Sequence, residues 1–105
     1  MELTMKENTP SPQENLTALH IIVHGHVQGV GFRYFVQKHA LTLDITGWVR
    51  NRPEGTVEIW AEGPRAALDT LVSRIGRGPR HGLVRRLEHE WYTAKDTFQG
   101  FDIRW

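Results

Sequence analysis

Two short stretches of this sequence combine residue types that can hold an anion and direct a water. The first is Gly25-His26-Val27-Gln28-Gly29-Val30-Gly31-Phe32-Arg33. An apolar, β-branched run precedes it and a helical pattern follows, so it joins a strand to a helix. Backbone N–H groups at a helix start have no partner inside the helix. Glycines permit the positive φ angles that curl such groups around one point. A curled loop on a helix N-terminus is a ready anion site. Arg33, in the first helical turn, adds a planar and permanently charged guanidinium that can grip two phosphate oxygens. The loop is not a nucleotide P-loop, because no lysine and Ser/Thr follow its last glycine. Tyr34 and Phe35 stand where a dinucleotide fingerprint would carry its third glycine.

The second stretch is Gly47-Trp48-Val49-Arg50-Asn51. An asparagine amide is both donor and acceptor, so Asn51 can hold and orient a water. An asparagine opening a hairpin loop has an ordinary use as a turn residue as well. The pattern alone does not bring Asn51 to the glycine loop.

Other residues point elsewhere or nowhere. The chain has six histidines and no cysteine, which excludes disulfides, a thiol nucleophile and cysteine-based metal sites. His24 and His26 flank Gly25, and His20, His39, His81 and His89 form no His-x-x-x-His pair, so no metal site is expected. His39 falls on an apolar helix face and reads as a hydrogen-bonded core residue. Trp48 and Trp60, with Trp91 as a third candidate, could lie on an open sheet face of the kind that stacks RNA bases. Arg77, Arg80, Arg85 and Arg86 add a local basic stretch. A non-catalytic anion- or RNA-binding module is therefore the alternative. Against it, no RNP-type aromatic pattern is present, and thirteen basic residues face twelve acidic ones for a net charge of +1. That balance gives no long-range field for nucleic acid or an anionic membrane, so an anion site has to be local.

The elements that must position these residues follow from periodicity. Leu19 to Val23 reads as a first strand. Phe32, Phe35, Val36, His39, Ala40 and Leu43 make one face of a helix. Ile45, Gly47 and Val49 alternate with Thr46, Trp48 and Arg50 as a second strand, and Asn51 to Gly55 has hairpin-loop chemistry. Val57, Ile59 and Ala61 alternate with Thr56, Glu58, Trp60 and Glu62 as a third. Gly63-Pro64 opens a second helix with Pro64 at its first position. That helix has Ala67, Leu68, Leu71, Val72 and Ile75 as its apolar face and Gly76 as its stop. Leu83 to Tyr92 is a fourth strand, and Phe101, Ile103 and Trp105 alternate in a short closing one.

The expected fold class is α+β. It is a ferredoxin-like βαββαβ two-layer sandwich, an antiparallel sheet with both helices on one face and a short extra C-terminal strand. The first and third strands are central neighbours, with the second beside the third. Residues 1–18, polar and containing Pro10 and Pro12, are expected to be a flexible leader, and 19–105 the domain. No run reaches the ~18 apolar residues of a membrane span, and no signal-peptide core is present. A cytoplasmic monomer is expected.

Val23-His24-Gly25-His26-Val27-Gln28-Gly29-Val30-Gly31-Phe32-Arg33 resembles the first signature of the acylphosphatase family. Gly47-Trp48-Val49-Arg50-Asn51, followed by Gly55-Thr56-Val57-Glu58-Ile59, resembles the second. Glu62-Gly63 and Gly78-Pro79 fit the same register, and the similarity runs from about Leu19 to Trp105. The resemblance implies hydrolysis of a small-molecule acyl phosphate without metal or cofactor, and with neither nucleic acid nor membrane as partner. It implies that Arg33 is catalytic and binds the phosphate, and that Asn51 positions the attacking water. The backbone of His26, Val27, Gln28, Gly29, Val30 and Gly31 would form the phosphate-binding loop with Arg33. Two positions depart from the family pattern: His26, where Arg or another polar residue is frequent, and Trp105, where Tyr is common.

Overall fold

Odd-numbered residues of the first strand and even spacing of apolar residues in the helices converge on one core. The computed structural model describes residues 16–105. The expected leader therefore falls, for residues 1–15, outside the described residues, and Leu16, Thr17 and Ala18 already belong to the first strand. The elements are β1 (Leu16–His26), α1 (Phe32–Thr42), β2 (Thr46–Asn51), β3 (Val57–Pro64), α2 (Arg65–Arg77), β4 (Leu83–Tyr92) and β5 (Phe101–Arg104). Strand order is β4-β1-β3-β2-β5.

Leu19, Ile21 and Val23 of β1 and Val57, Ile59 and Ala61 of β3 face the helices and are fully buried. Phe32, Val36 and Ala40 of α1 and Leu68, Leu71 and Ile75 of α2 close over them. Each of the Val, Leu, Ile and Phe side chains contributes about 1.5–3 kcal/mol by leaving water, and the two alanines roughly 0.8 kcal/mol each. This cluster sets the two helices side by side on one face of the sheet.

The sheet departs from the expectation at one edge. β1 pairs antiparallel with β3 and β4, and β2 antiparallel with β3, but β5 runs parallel to β2, with Gly47 opposite Phe101. The sheet is mixed because the chain leaves β4 at one edge and must reach the other. On its way it crosses β3, where the backbone N–H groups of Lys95 and Asp96 donate to the Glu62 carboxylate, each at 2.9 Å. Trp60 Nε1 donates to the same carboxylate at 2.7 Å. Glu62, placed by its alternation on a solvated face, is thus only 2% exposed.

Other differences have equally local causes. The β1–β4 register sets Trp91 opposite Leu19. It therefore packs on the helix side of the sheet, under the Arg65 guanidinium at 3.7 Å. Trp48 and Trp60 face each other across β2 and β3 on the open face. Pro64 is the extended residue that caps α2 (φ −64°, ψ 147°), not its first helical residue. The helix passes through Gly76 and stops at Gly78, whose φ of 69° lies in the left-handed region. His39 is half-buried between the helices rather than in the core. Its ring meets Phe35 edge-on at 4.5 Å, and its Nδ1 lies 3.2 Å from an Arg74 nitrogen. Burial, then the Arg74 charge, lower its pKa. Among the described residues no helix is long and apolar enough to cross a membrane.

Candidate active site

The site begins where β1 overruns its expected end. The β1–β4 register shifts between His24 and Gly25, and Gly25 takes φ +140° there. A side chain at Gly25 would collide with the Leu83 carbonyl oxygen, so the bulge requires glycine. It carries the strand on to His26, opposite Leu83. The chain then turns: Val27 is buried, and Gly29 and Gly31 have φ of 77° and 75°.

Gly31 is the N-cap of α1 and has no side chain with which to cap it. The first-turn N–H groups are therefore left open. Its carbonyl accepts from the Phe35 N–H at 3.0 Å. Among the described residues, no N–H from Gln28 to Gly31 donates a loop or cap bond to the backbone.

The Gln28 side chain has a different task. Its Nε2 donates to the carbonyls of Arg52, at 2.8 Å, and Thr56, at 2.9 Å. These carbonyls belong to the loop between β2 and β3, immediately after Asn51. Arg52 N–H and Thr56 O bond at 2.9 Å within that loop, so Gln28 clamps a turn that is already closed. The clamp fixes the glycine loop against the end of β2.

Arg33 and Asn51 consequently line one cleft of about 240 Å³, together with Val27, Gly29 and Gly31. The remaining wall is Phe32, Tyr34, Ile103 and Trp105, so among the described residues Arg33 is the only charged side chain lining it. The Arg33 Nη1 donates to the Arg104 carbonyl at 3.3 Å, and its guanidinium carbon stands 4.0 Å from the centre of the Trp105 ring. Three residues of the expected phosphate loop do not line the cleft. His26 is exposed at the end of β1, Val30 packs against the core, and Gln28 is turned to the hairpin. Tyr34, Ile103 and Trp105 are additions that sequence reasoning missed. The alternation of Phe101, Ile103 and Trp105 was visible, but not that its strand lies beside β2.

The fold and the cleft together define a ferredoxin-like sandwich with one arginine and one asparagine at its first strand–helix junction. Comparison with known proteins places that class. Residues 19–103 match the family model described as Acylphosphatase. An acylphosphatase of Salinibacter ruber is 46% identical over 82 residues, which covers 78% of this chain and 86% of the relative. The crystal structure of an acylphosphatase from Bacillus subtilis superposes with a TM-score of 0.82 at 40% identity, covering 85% of this chain and 99% of that one. For the structure of an acylphosphatase from Coxiella burnetii the TM-score is 0.85 at 35% identity, with 91% and 100% covered. The chain belongs to the acylphosphatase family, hydrolases acting on acyl phosphates.

Proposed function

We propose that the cleft holds the phosphate of an acyl phosphate and that Arg33 and Asn51 carry out its hydrolysis. The observation that supports this most is their meeting, from separate elements, on a cleft that also includes Gly29 and Gly31. The backbone of the loop from His26 to Gly31, chiefly its unpaired N–H groups, and the Arg33 fork bind the phosphoryl oxygens. They stabilise the negative charge on those oxygens through the transition state. Asn51 orients one water for in-line attack. The water oxygen bonds to phosphorus, the bond from phosphorus to the acyl oxygen breaks, and the carboxylate leaves with the electron pair.

A carboxylate is a good leaving group, so strong general acid catalysis is not needed. Among the described residues no side chain lining the cleft is a general base, and the water's proton passes to a phosphate oxygen of the substrate. The cleft is built within one chain, and the monomer is the active form. The chemistry needs no metal or organic cofactor.

Hydrolysis of benzoyl phosphate by the purified protein, with a chelator present, tests this reading. Turnover by the wild type that is lost in Arg33→Ala supports it. A folded wild type without turnover, or an Arg33→Ala protein as active as wild type, would overturn it.

A further inference from the structure

The cleft wall beyond Arg33 and Asn51 has a chemistry that hydrolysis of the phosphate does not use. Two large side chains that stand unusually free of the protein, Tyr34 at 64% exposed and Trp105 at 95%, both line it. Exposed aromatics of this size leave apolar area in water that a ligand could cover. One face of the Trp105 indole is taken by the Arg33 guanidinium at 4.0 Å. With the residue 95% exposed, the rest of the ring is open to solvent.

The acyl group of a substrate is covalently tied to its phosphate, so with the phosphate at Arg33 it must lie in or beside the cleft that Tyr34 and Trp105 line, Trp105 stacking on Arg33 itself. We infer that Tyr34 and Trp105 are specificity residues that flank the acyl group and favour flat, aromatic acyl phosphates over small aliphatic ones. The inference rests on the reading of the cleft as the phosphate site.

An anionic acyl group is the competing chemistry, and the arrangement of charge disfavours it. Among the described residues Arg33 is the only cationic side chain lining the cleft, and it is committed to the phosphate. A neighbouring groove holds Arg50, Arg52 and Arg104. Arg50 Nε is bound to Glu58 at 2.7 Å and Arg52 Nε to Glu54 at 2.9 Å, while the Arg104 guanidinium lies over the Trp48 ring at 4.9 Å. Two of these cations are thus paired with carboxylates of the protein itself. In the cleft, the Tyr34 ring and the second face of the Trp105 indole remain exposed.

The test compares kcat/KM for benzoyl, acetyl and succinyl phosphate in the full chain. The proteins are wild type, Tyr34→Ala, Trp105→Ala, Tyr34→Phe and Trp105→Phe. Reading the benzoyl-to-acetyl ratio against that of the wild type cancels the intrinsic reactivity of the two anhydrides. In each alanine variant the ratio should fall roughly 3- to 10-fold, the range of an aromatic pair, and each phenylalanine variant should restore most of it. Inhibition of Tyr34→Ala by inorganic phosphate, which has no acyl group, should stay within about twofold of wild type. Equal losses on benzoyl and acetyl phosphate in both alanine variants would overturn the inference and make the two rings mere supports for Arg33. A wild-type preference for succinyl over benzoyl phosphate would overturn it in favour of the arginine groove. A wild type inactive on all three substrates would instead overturn the underlying reading of the cleft.

Discussion

The two ends of the chemistry in this molecule, the open face of the sheet and the cleft at the glycine loop, both carry arginines beside tryptophans. On the open face the buried carboxylates are fully used. Glu58 accepts from His20 Nε2 and Arg50 Nε, each at 2.7 Å, and Glu62 accepts from Trp60 and from the backbone of Lys95 and Asp96. At the cleft the loop N–H groups have no backbone partner among the described residues, and Arg33 has one 3.3 Å bond and a ring. Buried polar groups that are satisfied within the protein hold structure together. Donors left open on a cleft are available to a ligand.

The contrast can be broken most severely at Arg33. Arg33→Ala removes a fork proposed to make two charge-assisted bonds of about 1.5–3 kcal/mol each, so kcat/KM should drop roughly 100-fold or more in a steady-state assay. The melting temperature should hardly move. Arg33→Lys should recover only part of the activity, because a point charge does not reproduce the fork. Glu62→Ala is the reverse case. It strips a partner from one indole and two backbone N–H groups and should cost about 2–4 kcal/mol in denaturant unfolding. The kcat of the folded fraction should stay near wild type.

Asn51→Ala should lower kcat roughly 10- to 100-fold while inorganic phosphate still inhibits within about twofold of wild type, because its proposed contact is with water. If phosphate inhibition vanished in a folded Asn51→Ala protein, its assigned role would be wrong. Gln28→Ala joins the two regions' logic. Losing two bonds to the hairpin should cost about 1–2 kcal/mol of stability and reduce kcat several-fold by loosening Asn51 against the loop.

The smallest effect concerns pH. Burial raises the pKa of Glu58, but the bonds from His20 and Arg50 and their charge outweigh it and leave the carboxyl below its usual range. A depressed carboxyl contributes stability that is present above its unfolded pKa of about 4.3 and is lost as pH falls through the lower folded value. Melting temperature against pH should therefore fall less steeply on the acid side in Glu58→Gln than in wild type.

Much of the fold was legible because apolar spacing encodes which face is buried. The residues Phe32, Val36 and Ala40 marked α1, and β4 was bounded correctly at Leu83 and Tyr92. β1 was read too short. Gly25 looks like a terminator, yet with φ +140° it serves as a bulge inside the strand. Alternation set Glu58 and Glu62 on the same side of β3 as Trp60, but it reports side, not cover, and what covers Glu62 is the crossing segment at Lys95 and Asp96.

At the cleft, the glycine loop, Arg33 and Asn51 were visible as separate motifs. Their meeting was not, for although the β1–β3–β2 order was expected, it also depends on Gln28 reaching the hairpin carbonyls, which no spacing reports. Trp105 escaped because a parallel β5 beside β2 leaves no local pattern. Trp91 was a candidate for the open face, and only the β1–β4 register puts it on the helix side.

The most direct test is a titration of the 15N-labelled protein with inorganic phosphate, followed by amide chemical shifts. The account predicts shifts concentrated from Gln28 to Tyr34, with smaller ones at Asn51, and little change at Arg50, Glu58, Trp60 or Glu90 on the open face. Shifts centred on that open face, with the glycine loop silent, would contradict it.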